Sequence, residues 1–257
     1  FWDNAVYHTG NMEVCALTGN KDYLQYSIDW ADYNQWKGAT SNNKAEWRST
    51  YGESPEYVLF GDWQVCFQTY ADLYKLDPDT IKIARAREVM EYQMSTSKLD
   101  YWHWVDALYM VMPVMVKMYD ITKNPLYLEK LHQYLTVTDS IMYDREVGLY
   151  YRDAKYPYPF HKTINGKKDF WSRGDGWAFA AFAKVLKQLP AEDKYREEYI
   201  TRFQTMAKSI AACQQPEGYW TRSLIDPEQA PGPETSGTAL FTYGFLWGIN
   251  NGLLNAD

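Results

Sequence analysis

"WHWVDALYMVMPVMVKMYDITKNPLYLEKLHQYLTV", from Trp102 to Val137, decides the fold class. Its first half, "ALYMVMPVMVKMY" (Ala107–Tyr119), is apolar on nearly every face of a 3.6-residue helix. That pattern marks a helix buried on all sides. A short polar turn follows, and from Leu126 an amphipathic helix returns. The succession recurs: "LTGNKDYLQYSIDWADY" from Leu17 matches "ITKNPLYLEKLHQYLTV" from Ile121 in kind. Repeated helical hairpins of this sort read as a helical solenoid.

Outward from this stretch, the same two helix types alternate. "WAFAAFAKVL" and "TALFTYGFLWGI" are apolar nearly all round, whereas "DTIKIARAREVMEYQ" and "AEDKYREEYITRFQTMAKSI" carry one apolar stripe and a charged face. Periodicity places helices near 4–17, 21–34, 62–75, 80–94, 106–120, 125–138, 176–189, 194–214 and 236–249. Residues 142–170 read as a long loop with a short β-hairpin. The expectation is a single all-α domain over 1–257, a closed double ring with apolar inner helices. If the inner helices run the same way, the residues at their N-termini share one mouth. These are Trp2 and Asp3, Asp62 and Trp63, His103, Trp104 and Asp106, Trp171, Arg173 and Asp175, and Glu234 with Thr235.

Composition narrows the function classes. A net charge of −7 argues against nucleic acid, which requires a basic stripe, and says less about small anions, which local arginines can hold. No apolar run approaches the roughly 20 residues that span a bilayer. Aromatics reach 17%, with 11 Trp and 23 Tyr, which suits either a large aromatic core or stacking on sugar faces. Cys15, Cys66 and Cys213 are isolated and read as small core residues, and His8, His103, His132 and His161 lack metal-ligand spacing. No nucleophile-elbow, zincin, phosphate-loop or dinucleotide motif is present.

The chemistry candidates stand at helix starts. Asp106 follows two tryptophans and a histidine; a plain helix cap needs none of these, and burial among aromatics raises a carboxyl toward general-acid range. Asp62 opens the preceding inner helix, and two carboxylates facing one mouth are the arrangement of glycan chemistry. Arg173, between Trp171 and Trp177, is suited to a bidentate grip on a carboxylate while a ring stacks on the sugar. His103 and Trp104 flank Asp106, and Arg152, Asp153 and Tyr156 lie in the long loop, where a substrate wall is expected.

Four segments, "GDWQVCFQTYADLYKLDPD", "WHWVDALYMVMPVMVKMYDITKNPLYL", "FWSRGDGWAFAAFAKVLKQLP" and "PETSGTALFTYGFLWGINNGLL", together resemble glycoside hydrolase family 105, the unsaturated rhamnogalacturonyl hydrolases. The resemblance implies an (α/α)6 double toroid and removal of a Δ4,5-unsaturated galacturonyl residue from the non-reducing end of rhamnogalacturonan oligosaccharides. An aspartic acid protonates C4 of the vinyl ether, water adds at C5, and the hemiketal collapses. The acid/base role carries over to Asp106 and the second carboxylate to Asp62; Trp171, Arg173 and Trp177 are expected around the unsaturated sugar. The implied partner is the oligosaccharide, with no metal or organic cofactor, in the cytoplasm or periplasm of a pectin-degrading bacterium.

Two departures accompany the resemblance. Asp175 stands where family members often have Asn, and a carboxylate there repels an anionic substrate unless it faces away. About nine helices are counted where the ring needs twelve, so the chain is expected to be truncated at both ends. Two other readings are an unsaturated glucuronyl hydrolase, as in the related family 88, and a non-catalytic glycan-binding remnant.

Overall fold

The computed structural model describes residues 1–256. It contains α1 (Trp2–Thr18), α2 (Lys21–Tyr33), α3 (Gly61–Gln64), α4 (Cys66–Leu76), α5 (Ile81–Ser95), α6 (Asp106–Thr122) and α7 (Leu126–Met142). A two-stranded hairpin, β1 (Tyr143–Asp144) and β2 (Leu149–Tyr150), precedes α8 (Ser172–Gln188), α9 (Arg196–Ala211) and α10 (Thr235–Asn250). All nine expected helices are found, the third of them interrupted at Val65 into α3 and α4. The chain divides into two compact units, one of residues 1–101 with 110–131 and one of residues 102–109 with 132 onward.

In the first unit α1 packs on α2 and α4, and α4 on α5. The repeat seen in the sequence is one turn built twice. Gly19 takes the left-handed conformation (φ 67°) and its N–H returns to the Cys15 carbonyl at 2.8 Å. Asn20 then caps α2 by accepting the Asp22 N–H at 2.8 Å. At the other copy Lys123 adopts φ 56°, its N–H reaches the Tyr119 carbonyl at 2.7 Å, and Asn124 accepts from the Leu126 N–H at 3.1 Å. α5 buries Ile83, Ala86, Val89, Met90 and Met94 along one stripe, as its period requires. His8 is a satisfied core histidine. Its Nδ1 lies 3.0 Å from Ser27 Oγ, its ring stacks on Trp30 at 4.4 Å, and burial pushes its pKa down to about 4.

The second unit is organised around α8, which packs on α9, α10 and β2. Here the sequence expectation is corrected at both apolar helices. α8 begins at Ser172 rather than near 176, so the "WSRGDGW" cluster forms its first turns. Its two glycines each cost about 1 kcal/mol of helix propensity. The helix forms because all but three of its 17 residues are buried, a tertiary gain that local propensity does not register. Conversely, α10 is apolar all round yet buries only Gly237, Phe241, Gly244 and Gly248 along one face; Leu246 is 56% exposed. Hydropathy reports what a helix can bury, not what covers it.

The α8–α10 contact depends on the absence of side chains. A Cβ at Gly244 falls 2.4 Å from the Phe179 ring, which is stacked on Phe203 at 4.5 Å and edge-on to Phe245 at 5.1 Å. The ring has nowhere to move. Gly244→Ala is therefore expected to destabilise the protein by about 1–3 kcal/mol, measured as a lowered denaturant midpoint with unchanged slope.

Candidate active site

Two short backbone pairings in the second unit assemble the site. The Val105 N–H donates to the Arg152 carbonyl at 2.9 Å, beside an antiparallel bridge between Trp104 and Asp153. The Ser172 N–H donates to the Arg222 carbonyl at 2.9 Å, beside a bridge between Trp171 and Ser223. Gly174 closes the gap between them, since a Cβ there would stand 2.9 Å from Val105 Cγ1 and 3.0 Å from the Trp171 ring. The first turn of α8 thus lies against the residue before Asp106.

Asp106 is half-buried at the start of α6. Burial pushes its pKa up to about 6; its own backbone N–H, the charges of Arg173 and Arg152, and the Trp177 side chain pull the other way. The carboxyl is therefore protonated in mildly acid solution while two guanidiniums face the same region. Arg173 lies over the Trp171 ring at 4.2 Å and 3.8 Å from Glu234 Oε1, and is 39% exposed. Arg152 is 49% exposed and lies over the Tyr156 ring at 5.4 Å. A general acid beside two accessible arginines is equipped to protonate an anionic substrate.

The other candidates take distinct places. Trp177 is 5% exposed and packs on Tyr109 at 4.8 Å, so it backs Asp106 rather than presenting a face for stacking. His103 and Trp104 are half-buried and in contact at 4.9 Å. Asp153 stays on the loop, its Oδ1 accepting the Lys155 N–H at 2.8 Å and its Oδ2 lying 3.4 Å from Arg152 Nη1. Asp62 belongs to the first unit, half-buried as the second residue of α3; the N-cap position is Phe60, so Asp62 is not a helix cap. Close by in sequence, Trp63 stacks on Phe1 at 4.8 Å, which joins the starts of α1 and α3.

Glu234 is a residue that sequence reasoning placed at the mouth without a role. It caps α10, accepting from the Gly237 N–H and the Ser236 hydroxyl, accepts the Ser172 hydroxyl at 3.1 Å, and faces Arg173. The signal was an acidic residue directly before "TSGTALF", a capping position.

Asp175 resolves the concern about repulsion. It points into the interior, fully buried, with Oδ1 accepting the Tyr150 N–H at 2.8 Å. Its Oδ2 is buried with no hydrogen-bond partner, and burial raises its pKa well above 3.8. A neutral, inward-facing carboxyl repels no substrate.

A curated relative, an unsaturated 3S-rhamnoglycuronyl hydrolase of Alteromonas sp. (strain LOR), is 37% identical over 153 residues. That match covers 60% of this chain and only 37% of the relative. A solved structure described as a polysaccharide lyase is 71% identical with a TM-score of 0.98, covering all of this chain and 72% of the other. A glycoside hydrolase of family 105 from C. acetobutylicum shares the fold, with a TM-score of 0.77 at 20% identity over 98% of this chain and 72% of its own. The all-α reading thus stands, and with it the α/α toroid class of these neighbours. A family model matches residues 1–257 in full, and the chain belongs to Glycosyl Hydrolase Family 88.

Proposed function

We propose that this chain removes a Δ4,5-unsaturated uronyl residue from the non-reducing end of oligosaccharides by hydrating its vinyl ether. The observation that carries the reading is Asp106, raised to about 6 and faced by Arg173 and Arg152. Protonated Asp106 delivers its proton to C4 of the unsaturated ring, positive charge develops at C5 and the ring oxygen, and water adds at C5, returning a proton to the ionised Asp106. The hemiketal so formed opens and releases the next sugar. Arg173 and Arg152 hold the uronate carboxylate, and Trp177 fixes Asp106 from behind. The name of the curated relative supports a uronyl residue next to rhamnose as the substrate, and galacturonyl-rhamnose is the form we favour.

A second reading has its own support, the 71% identical structure described as a polysaccharide lyase. In β-elimination the arginines neutralise the carboxylate, ionised Asp106 removes the C5 proton, the C4–O bond breaks and the leaving oxygen takes a proton from water, creating the double bond that hydration destroys. One assay separates them. The ultraviolet absorbance of the conjugated double bond falls with unsaturated oligosaccharide if the chain is a hydrolase, and rises with saturated polymer if it is a lyase.

The pH dependence runs in opposite senses as well. An acid catalyst loses its proton above about pH 6, so hydration falls about tenfold per unit there, whereas elimination rises through the same range. Arg173→Met removes a charge that holds the Asp106 pKa down. The alkaline limb of hydration should then move to higher pH, while kcat/KM falls roughly 10–100-fold with the lost carboxylate grip. A fall without movement of the limb would separate Arg173 from Asp106.

A further inference from the structure

Beyond Asp106 the long loop carries a strip of side chains that the reaction does not use. Past Arg152, residues 153–168, "DAKYPYPFHKTINGKK", hold four lysines in a chain of net charge −7; Lys167 is paired with Asp226 and Lys168 with Asp144 and Glu146, which leaves Lys155 and Lys162. Aromatics are interleaved with the cations. Arg152 lies over Tyr156, whose ring meets His161 at 4.4 Å, and Lys162 lies over the Tyr158 ring at 5.1 Å. Phe160 is 89% exposed and Tyr158 43%. Two exposed rings two residues apart on one loop, with Lys162 over one of them, offer apolar faces and a cation together.

The loop is also built rather than loose. The buried carboxylate of Asp169 accepts from His161 Nε2 (2.8 Å) and pairs with Arg222. Asp226, also buried, accepts from Asn165 Nδ2 at 3.0 and 3.1 Å and pairs with Lys167 at 3.2 Å. The Phe160 N–H donates to the Pro157 carbonyl at 3.0 Å, and the Ile164 N–H to Gln229 Oε1 at 2.9 Å. Anchored on both flanks, the loop holds Tyr158, Phe160 and Lys162 out into solvent, on the segment whose first residue faces Asp106.

We propose that Tyr156, Tyr158, Phe160 and Lys162 form a binding strip for an anionic sugar on the leaving-group side of the bond cleaved at Asp106. This rests on the unsaturated-uronyl reading for its place in the reaction, though not for binding itself. Aromatic faces take the apolar side of the sugar ring, and Lys162 takes its carboxylate or sulfate.

The test pairs turnover with binding, for the wild type and for Phe160→Ala/Lys162→Gln. By calorimetry, a saturated uronate-bearing oligosaccharide, its sulfated counterpart and its carboxyl-reduced counterpart are titrated. The double variant is expected to weaken the anionic ligands about tenfold and the reduced one less, with the stronger anionic ligand naming the natural group. In turnover, kcat/KM for an unsaturated anionic oligosaccharide should fall about tenfold more than for an aryl glycoside of the same unsaturated sugar. Equal binding of charged and reduced ligands, or equal loss on both substrates, overturns the strip. Absence of all turnover in the wild type, with discrimination in calorimetry intact, overturns the hydrolase reading instead.

Discussion

Asp106→Asn is expected to reduce kcat on an unsaturated uronide by about 10²–10⁴, with KM little changed. The amide keeps the shape of the carboxyl and its place at the start of α6, but it carries no proton of suitable acidity. Burial has set that acidity. At about 6, the carboxyl is a far stronger acid than water yet stays protonated in mildly acid solution. Binding should survive because Arg173 and Arg152 remain. The measurement is the initial decay of vinyl-ether absorbance at pH 5.5, beside circular dichroism to show an intact fold. Decay at the wild-type rate removes Asp106 from the acid role. A loss matched by a proportionate rise in KM assigns Asp106 to binding instead.

The second large effect concerns stability, and it comes from Asp175. In the folded chain its carboxyl is raised well above 3.8 by burial, and only one oxygen has a partner. The folded state therefore keeps a proton that the unfolded chain has already released. Stability linked to this group is fully present below pH 3.8 and is lost as pH rises toward the folded value, by about 1.4 kcal/mol per pH unit. Asp175→Asn accepts the Tyr150 N–H in the same way and needs no proton. The variant should be more stable than the wild type at neutral pH, and the difference should shrink steadily as pH is lowered. Asp175→Leu, which leaves the Tyr150 N–H buried and unsatisfied, should lie about 1–3 kcal/mol below Asp175→Asn at every pH. Urea titrations of the three proteins between pH 4 and 8 check both signs. A difference between Asn and Asp that does not vary with pH would show that Asp175 is ionised in the fold.

The two cases differ in how far they were legible. Asp106 was visible because aromatic neighbours stand beside it in the chain, although the groups that set its acidity, Arg173, Arg152 and Trp177, come from other segments. Trp177 was visible as a site residue, but its role was not. Whether an indole shows a face to solvent or closes against Tyr109 depends on where α6 lies, information absent from the heptapeptide around it. Asp175 drew attention for its charge; its environment comes from β2, distant in sequence, whose Tyr150 N–H it accepts.

By itself the sequence determined the helical periods, their alternation, the doubled turn at Gly19 and Lys123, and the gathering of aromatics around Asp106. These are local properties: each depends on residues within a few turns of one another, so the pattern along the chain contains the answer. Tertiary structure alone decided where α8 starts, which face of α10 is covered, which way Asp175 points and which groups set the acidity of Asp106. Helix propensity opposed the start of α8, and burial overrode it. Protonation at Asp106 and Asp175 follows from desolvation and from charges on other elements, quantities that exist only once distant segments are packed together.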